Sequence, residues 1–214
     1  MSLLNALKWR VQSKGAHLTG TVTATPHLSG DDHYQRGVVL ARRGLHAEAL
    51  KEFKQVAHLQ PDDAQAHYNV GLTYFNLGRF DKAVKAYTRA LQIEPDYVDA
   101  YNNMGIAYDN MGRFVEAIKI YMQAIRVEPN NAESRKNLGM AYFNIGSYTE
   151  AVKALRQALQ IDPLDPGTHY SLGLIYVDLR DKEQALEEHR ILQELNQPDS
   201  ARRLFDQIER LHLR

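Results

Sequence analysis

Asparagine recurs at Asn69, Asn103 and Asn137, and again at Asn76, Asn110 and Asn144. The two members of a pair, such as Asn69 and Asn76, stand seven residues apart, and successive pairs stand 34 apart. Seven residues make about two helical turns, so on a helix both amides project from one face. Each carboxamide offers one acceptor and two donors. That suits the alternating C=O and N–H groups of an extended peptide backbone. The chemistry on offer is holding rather than reacting. At about 0.5–1.5 kcal/mol net per hydrogen bond, several rungs would have to act together. The alternative is that each amide bonds its own or a neighbouring helix, as asparagine, a mediocre helix former, often does.

Little else in the chain could do chemistry. There is no cysteine, hence no disulfide, thiolate nucleophile or Cys-based zinc site. Of the nine histidines, His33, His67 and His169 recur at one place of the repeat and replace a packing aromatic. Without a close second ligand they read as packing residues rather than metal ligands. No Gly-rich phosphate loop, HExxH or nucleophile elbow occurs, and acids and bases are scattered as helix-surface charges. No catalytic residue, metal or cofactor is therefore expected. The 26 basic and 26 acidic residues cancel, so nothing general favours nucleic acid or a bilayer. The absence of cysteine makes the cytoplasm the expected location. No apolar run reaches the roughly 18 residues of a membrane span. The first residues also make a poor secretory leader, since Asn5, Lys8 and Arg10 interrupt them.

The elements that must position the asparagines follow from the period. Gly37, Gly71, Gly105, Gly139 and Gly173 keep the 34-residue step, as do Ala49, Ala83, Ala117, Ala151 and Ala185, and Pro61, Pro95, Pro129 and Pro163. Such a period marks a solenoid, whose units bury their apolar faces against neighbours. The units run 30–63, 64–97, 98–131, 132–165 and 166–199. In the second, His67, Val70, Gly71 and Tyr74 form one helical face, and Phe80, Ala83, Tyr87, Ala90 and Leu91 form another. Gly78 between them reads as a left-handed C-cap, and Pro95 ends the second helix. Each unit is thus two antiparallel helices, with Gly71 and Ala83 small so that the pair can close.

Both ends depart from the pattern. Arg36 and His46 in the first unit, and Arg180, Lys182 and His189 in the fifth, replace apolar, aromatic or capping residues. Terminal units need a more polar outer face; alternatively Arg36 and His46 meet a further element. Residues 200–214 read as a capping helix with an apolar stripe of Leu204, Phe205, Ile208 and Leu211, capped by Asp199 or Ser200. It is expected to cover the second helix of the last unit. Residues 1–29 form a basic arm. It comprises a short amphipathic helix with Leu3, Leu4, Leu7 and Val11 on one face and Trp9 on the other, then a Thr/Gly/Ser linker. Lys8, Arg10 and Lys14 give the arm +3, leaving −3 on the remaining 185 residues.

The pattern of Leu-Gly, Tyr, Gly, Ala, aromatic, Ala and Pro at set offsets resembles the tetratricopeptide repeat family, most closely in the second, third and fourth units. The resemblance implies an all-α fold. It would be an α-solenoid of five helix-turn-helix units forming a right-handed superhelix, with a C-terminal capping helix. It further implies that unit positions 2, 5, 6, 9, 12 and 13 line a concave groove. Carried onto this chain, those positions include the six asparagines with Tyr68, Leu72, Phe75, Ile106, Asp109, Lys136, Met140, Phe143 and Tyr170 as peptide-binding residues. The asparagine rungs are similar to those in the tetratricopeptide superhelices of O-GlcNAc transferase and kinesin light chain. The Lys/Arg clamp of the chaperone-tail binders is not matched. Tyr34, Val38, Asp99 and Asn103 stand in its places, and only Asn69 agrees.

The expected function is a non-catalytic scaffold or adaptor that holds an extended segment of a partner protein. The carboxylates of Asp31, Asp99, Asp109, Glu133 and Asp178 against Arg42 and Lys136 favour a basic or apolar segment. A second reading is self-assembly, with the arm of residues 1–29 in a neighbouring groove or in its own. A third and weaker reading is membrane-surface attachment through the arm.

Overall fold

The computed structural model describes residues 28–210, and within them all regular structure is α-helix, joined by short turns, with no strand. Five antiparallel pairs run in order. They are α1 (Gly30–Arg42) with α2 (His46–Leu59), α3 (Ala64–Asn76) with α4 (Phe80–Ile93), α5 (Val98–Asn110) with α6 (Phe114–Val127), α7 (Ala132–Asn144) with α8 (Tyr148–Ile161), and α9 (Pro166–Asp178) with α10 (Lys182–Glu194). A single helix, α11 (Pro198–Arg210), follows. The helices form two compact units that part between Pro95 and Asp96. The arm's helix, with Leu3, Leu4, Leu7, Trp9, Val11 and the cations Lys8, Arg10 and Lys14, lies outside the described residues, as does Leu211.

Local chemistry sets the helix ends. Ser29 Oγ accepts from Asp32 N at 3.2 Å while the Asp32 carboxylate accepts from Ser29 N at 3.0 Å, a reciprocal cap that starts α1. Asp63, Asn131 and Asp165 accept from Gln65 N, Ser134 N and Thr168 N and so start α3, α7 and α9. Four of the first helices end at a glycine with positive φ, Gly78 at +68° among them. Where the fifth pair lacks that glycine, Arg180 takes the same turn at φ 58°. Its N–H bonds Val177 O at 3.0 Å and Asp181 N bonds Tyr176 O at 2.8 Å, so the closing hydrogen bonds match those of Gly78 and Arg79. A Cβ in this region is strained. Arg180→Gly is therefore expected to raise stability by about 0.5–1 kcal/mol, read as a higher urea midpoint; an unchanged or lower midpoint would refute the strain.

Within a pair, helix contact is made through a hole. A Cβ on Gly71 would lie 2.6 Å from the Tyr87 ring, one on Gly37 2.8 Å from Phe53 and one on Gly139 2.7 Å from Leu155. Ala49, Ala83, Ala117, Ala151 and Ala185 on the second helices are completely buried. The fifth pair solves the problem differently. His189 stands where Phe53, Tyr87, Tyr121 and Leu155 stand, but its Nδ1 donates to Ala201 O on α11 at 2.9 Å and its ring lies 5.2 Å from Phe205. The space over Gly173 is filled by Leu204 of α11 instead, 2.3 Å from a would-be Cβ. The last helix thus packs on α9 as well as α10, supplying the core residue that the fifth unit lacks. It begins at Pro198, a residue suited to the first helical position. Asp199 and Ser200 therefore lie inside its first turn rather than capping it.

At the other end, Val39 on α1 is 48% exposed. The equivalent Thr73, Ala141 and Ile175 are fully buried, each on a helix that packs against the second helix of the preceding pair. Arg36 and Arg43 share the exposed face with Val39, so Arg36 sits where no described helix covers α1, whereas His46 on α2 is half-buried with its Nδ1 enclosed.

Candidate functional site

In the second compact unit α5, α7 and α9 touch in order. Two side-chain bridges fix their register. Ser134 Oγ on α7 donates to Asn102 Oδ1 on α5 at 2.8 Å, and Lys136 Nζ on α7 donates to Asp165 Oδ2, at the N-cap of α9, at 3.1 Å. Lys136 is thus held as an interhelical strut. The Asp165 carboxyl lies below the usual aspartate range; burial alone would raise it, but Thr168 and Lys136 together outweigh that.

Positions spaced three or four apart share a helix face, but they lie at different depths. On α5 Asn103 is only 7% exposed and has a partner of its own, while Asn110 is exposed and donates to Ile106 O of its own helix at 2.7 Å. On α7 Asn144 is exposed; Asn137 is half-buried, and its Nδ2 is enclosed without an acceptor among the described residues. Ile106, Met140, Phe143 and Tyr170 are half-buried, with the Phe143 ring 5.9 Å from Tyr148. Asp99, Glu133 and Asp178 are exposed.

Asp109 differs from these three. Tyr121, completely buried on α6, donates its hydroxyl to Asp109 Oδ2 at 2.7 Å, while Oδ1 is enclosed and accepts nothing from the described residues. Burial pushes the Asp109 carboxyl up to about 6 despite the Tyr121 hydrogen bond. Burial, then the neighbouring Asp109 and Glu133 carboxylates, hold the Tyr121 hydroxyl well above the tyrosine range.

In the first compact unit the candidates on α3 are mostly core. Asn69 is 1% exposed; its Oδ1 accepts from Gln65 Nε2 at 3.2 Å, and its Nδ2 is enclosed without an acceptor among the described residues. Leu72 is completely buried. Tyr68 is buried against Tyr87 at 5.8 Å and Phe75 against Phe80 at 5.2 Å. Only Asn76 is half-exposed, so the others support this face from beneath.

The histidines at the fourth repeat position bridge elements. His33 Nδ1 meets Glu52 Oε2 at 2.6 Å, and His169 Nδ1 meets Glu188 Oε2 at 2.7 Å. The Glu188 hydrogen bond raises His169 above the usual histidine value, against the opposing effect of burial. His67 and His169 each donate Nε2 to the carbonyl of Pro61 or Pro163, six residues back. Arg135 does the same to Pro129 through its guanidinium. This latch between successive pairs was visible in the sequence only as two residue types sharing one period. Among the described residues no group of His, Asp or Glu could hold a metal ion.

Models of the tetratricopeptide repeat match residues 37–78, 71–112 and 141–179, residues 98–131, and residues 120–153. Together they cover 37–179 without a gap. Residues 41 to the end of MamA from Desulfovibrio magneticus RS-1 superpose with a TM-score of 0.71 at 24% identity, over 79% of this chain and 96% of that one. TTC0263, a thermophilic TPR protein of Thermus thermophilus, does so with a TM-score of 0.67 at 22% identity, over 84% and 99%. YrrB, a TPR protein with an unusual peptide-binding site, reaches 0.65 at 21% identity, over 83% and 92%. These likenesses are of fold. No curated protein matches the sequence. Repeat period, paired helices and family models agree that this chain belongs to the tetratricopeptide repeat family.

Proposed function

We propose that the chain is a non-catalytic scaffold that binds an extended segment of a partner protein along the face of α5, α7 and α9. One observation carries this reading. Half-buried Ile106, Met140, Phe143 and Tyr170 lie among amides and carboxylates whose hydrogen-bonding capacity the fold leaves partly unused, at Asn137 Nδ2 and Asp109 Oδ1. Buried polar atoms are nearly always paired, so a face that leaves two unused suits a ligand with backbone donors and acceptors. The peptide-binding site of YrrB, on a similar fold, supports the same reading. Asp99, Asp109, Glu133 and Asp178 bias it toward a basic or apolar segment, as Lys136 is spent on Asp165.

The test is to pan the full-length chain against a displayed library of extended dodecapeptides and measure the recovered peptides by fluorescence anisotropy. Asn137→Ala and Asn144→Ala are each expected to weaken binding by about 0.5–1.5 kcal/mol, with melting unchanged. Asn103 is a poorer choice, since its buried, partnered amide also serves the fold. Unchanged affinity in both variants would remove the ladder from the reading.

Self-assembly is favoured as a second reading by charge alone, the +3 arm against these carboxylates. A head-to-tail contact of that kind builds rings or filaments. Light scattering of the full chain beside a Lys8→Glu, Arg10→Glu, Lys14→Glu variant decides it. A concentration-dependent assembly that the variant loses supports the arm as ligand, and identical sizes exclude it.

A further inference from the structure

We propose that Asp109 is the receptor for one cationic side chain, a lysine or arginine of the bound partner segment. This rests on the peptide-binding reading above and gives it a point of specificity.

The position argues first. Place 12 of the repeat is Ala41, Phe75, Phe143 and Val177 in the other units and aspartate only here. A carboxylate among apolar equivalents is costly unless its charge is used. The fold uses half of it: Tyr121 donates to Oδ2 at 2.7 Å, and Oδ1 is enclosed with no donor among the described residues.

The surroundings argue next. Burial and the Tyr121 hydroxyl are what act on Asp109, and among the described residues no lysine or arginine does. From α7 the nearby charge is the carboxylate of Glu133, close enough to act on Tyr121. Lys136, the cation of that face, is tied to Asp165. Arg113, at the foot of α6, pairs with Glu116 and lies over the Tyr108 ring. The site therefore has a placed carboxylate and, among the described residues, lacks the opposite charge. A partner's backbone N–H would satisfy Oδ1 but leave the negative charge uncompensated. An ammonium or guanidinium satisfies both, and such charge-assisted bonds are about twice as strong as neutral ones. Access is short, because Asp109 is itself half-buried and stands one residue from the end of α5.

The experiment uses the full-length chain and three labelled dodecapeptides. These share a Leu, Ala and Ser framework and differ only in carrying Lys, Gln or Glu at the two central positions. Anisotropy at neutral pH is expected to rank Lys above Gln by roughly tenfold, with Glu weakest. Asp109→Asn keeps an oxygen for Tyr121 and removes the charge. It should bring the Lys peptide down to the Gln peptide's affinity and leave the Gln peptide unchanged. Asp109→Glu should keep part of the Lys preference. If all three peptides bind alike, or if Asp109→Asn retains the preference, the cation receptor falls while peptide binding stands. If none of the three binds, both readings fall.

Discussion

Gly105→Leu is expected to melt the second compact unit well below the parent chain, destabilising it by about 3 kcal/mol or more. The first added atom already fails to fit. A Cβ at Gly105 would lie 2.4, 2.6 and 2.8 Å from three atoms of the Tyr121 ring. That ring is not a flexible tip that can step aside. It is completely buried, and its hydroxyl is anchored on Asp109. Relief must come from separating α5 and α6, which uncovers Ala117 and the cluster of Ile118, Tyr121 and Ala141. Overpacking a tight core costs about 1–3 kcal/mol for small insertions, and Leu adds three carbons beyond the one that clashes. For a chain of this size that corresponds to a Tm lower by roughly 6–12 °C, measured by helical circular dichroism on heating. A fall of under about 2 °C would mean that the pair opens cheaply, and that the repeating glycine is not there to admit the ring.

The same glycines show what the sequence made legible. A small residue every 34 positions announced close helix pairing, and four of the five partners stand at one fixed offset, Phe53, Tyr87, Tyr121 and Leu155. The fifth could not be read that way. His189 has the offset, but Leu204 has the contact, because an eleventh helix competes for the same space and a buried leucine gains more than a histidine. The start of that helix was hidden for a similar reason, since Asn196 at φ 55° closes α10 and hands Pro198 the first helical position.

For the candidate site, the helical period told which residues share a face but not how deep each lies. Depth depends on the neighbouring helix. Asn69 and Asn103 are drawn beneath the surface, whereas Asn110 and Asn144, at the helix ends, remain exposed. Lys136 looked like a groove cation because its partner Asp165 is 29 residues away and becomes its neighbour only when α9 packs beside α7. Asp109 was visible as an aspartate where three of its four equivalents are bulky or branched apolar residues, but its pairing with Tyr121 required the fold.

That pairing leads to a result opposite in sign to the glycine's: Asp109→Asn is expected to stabilise the chain at neutral pH while costing it the basic ligand. The Asp109 carboxyl stands at about 6 in the folded chain against an ordinary 3.8. The native state therefore holds the proton more tightly than the unfolded state does. The stability this confers is fully present below about 4 and is lost as pH rises through about 6, so at about pH 7.5 the ionised group is a net burden. Taken at face value the shift is worth about 3 kcal/mol. The group is partly exposed, and water screens some of the cost, which leaves about 1–2 kcal/mol. Asparagine removes the charge and still accepts from Tyr121, so Tm should rise by roughly 2–8 °C at about pH 7.5. The gain should disappear near about pH 4, where aspartate is protonated as well. His169 changes stability in the same sense, since its raised value confers stability at low pH that is lost as pH rises. The difference between variant and parent at each pH therefore isolates Asp109. Melting both proteins at about pH 7.5 and about pH 4 decides the matter. A variant less stable than the parent at the higher pH would show that the carboxylate already has its counter-charge inside the fold. A more stable variant with weakened Lys-peptide binding would show that the chain carries an uncompensated charge for the sake of what it holds.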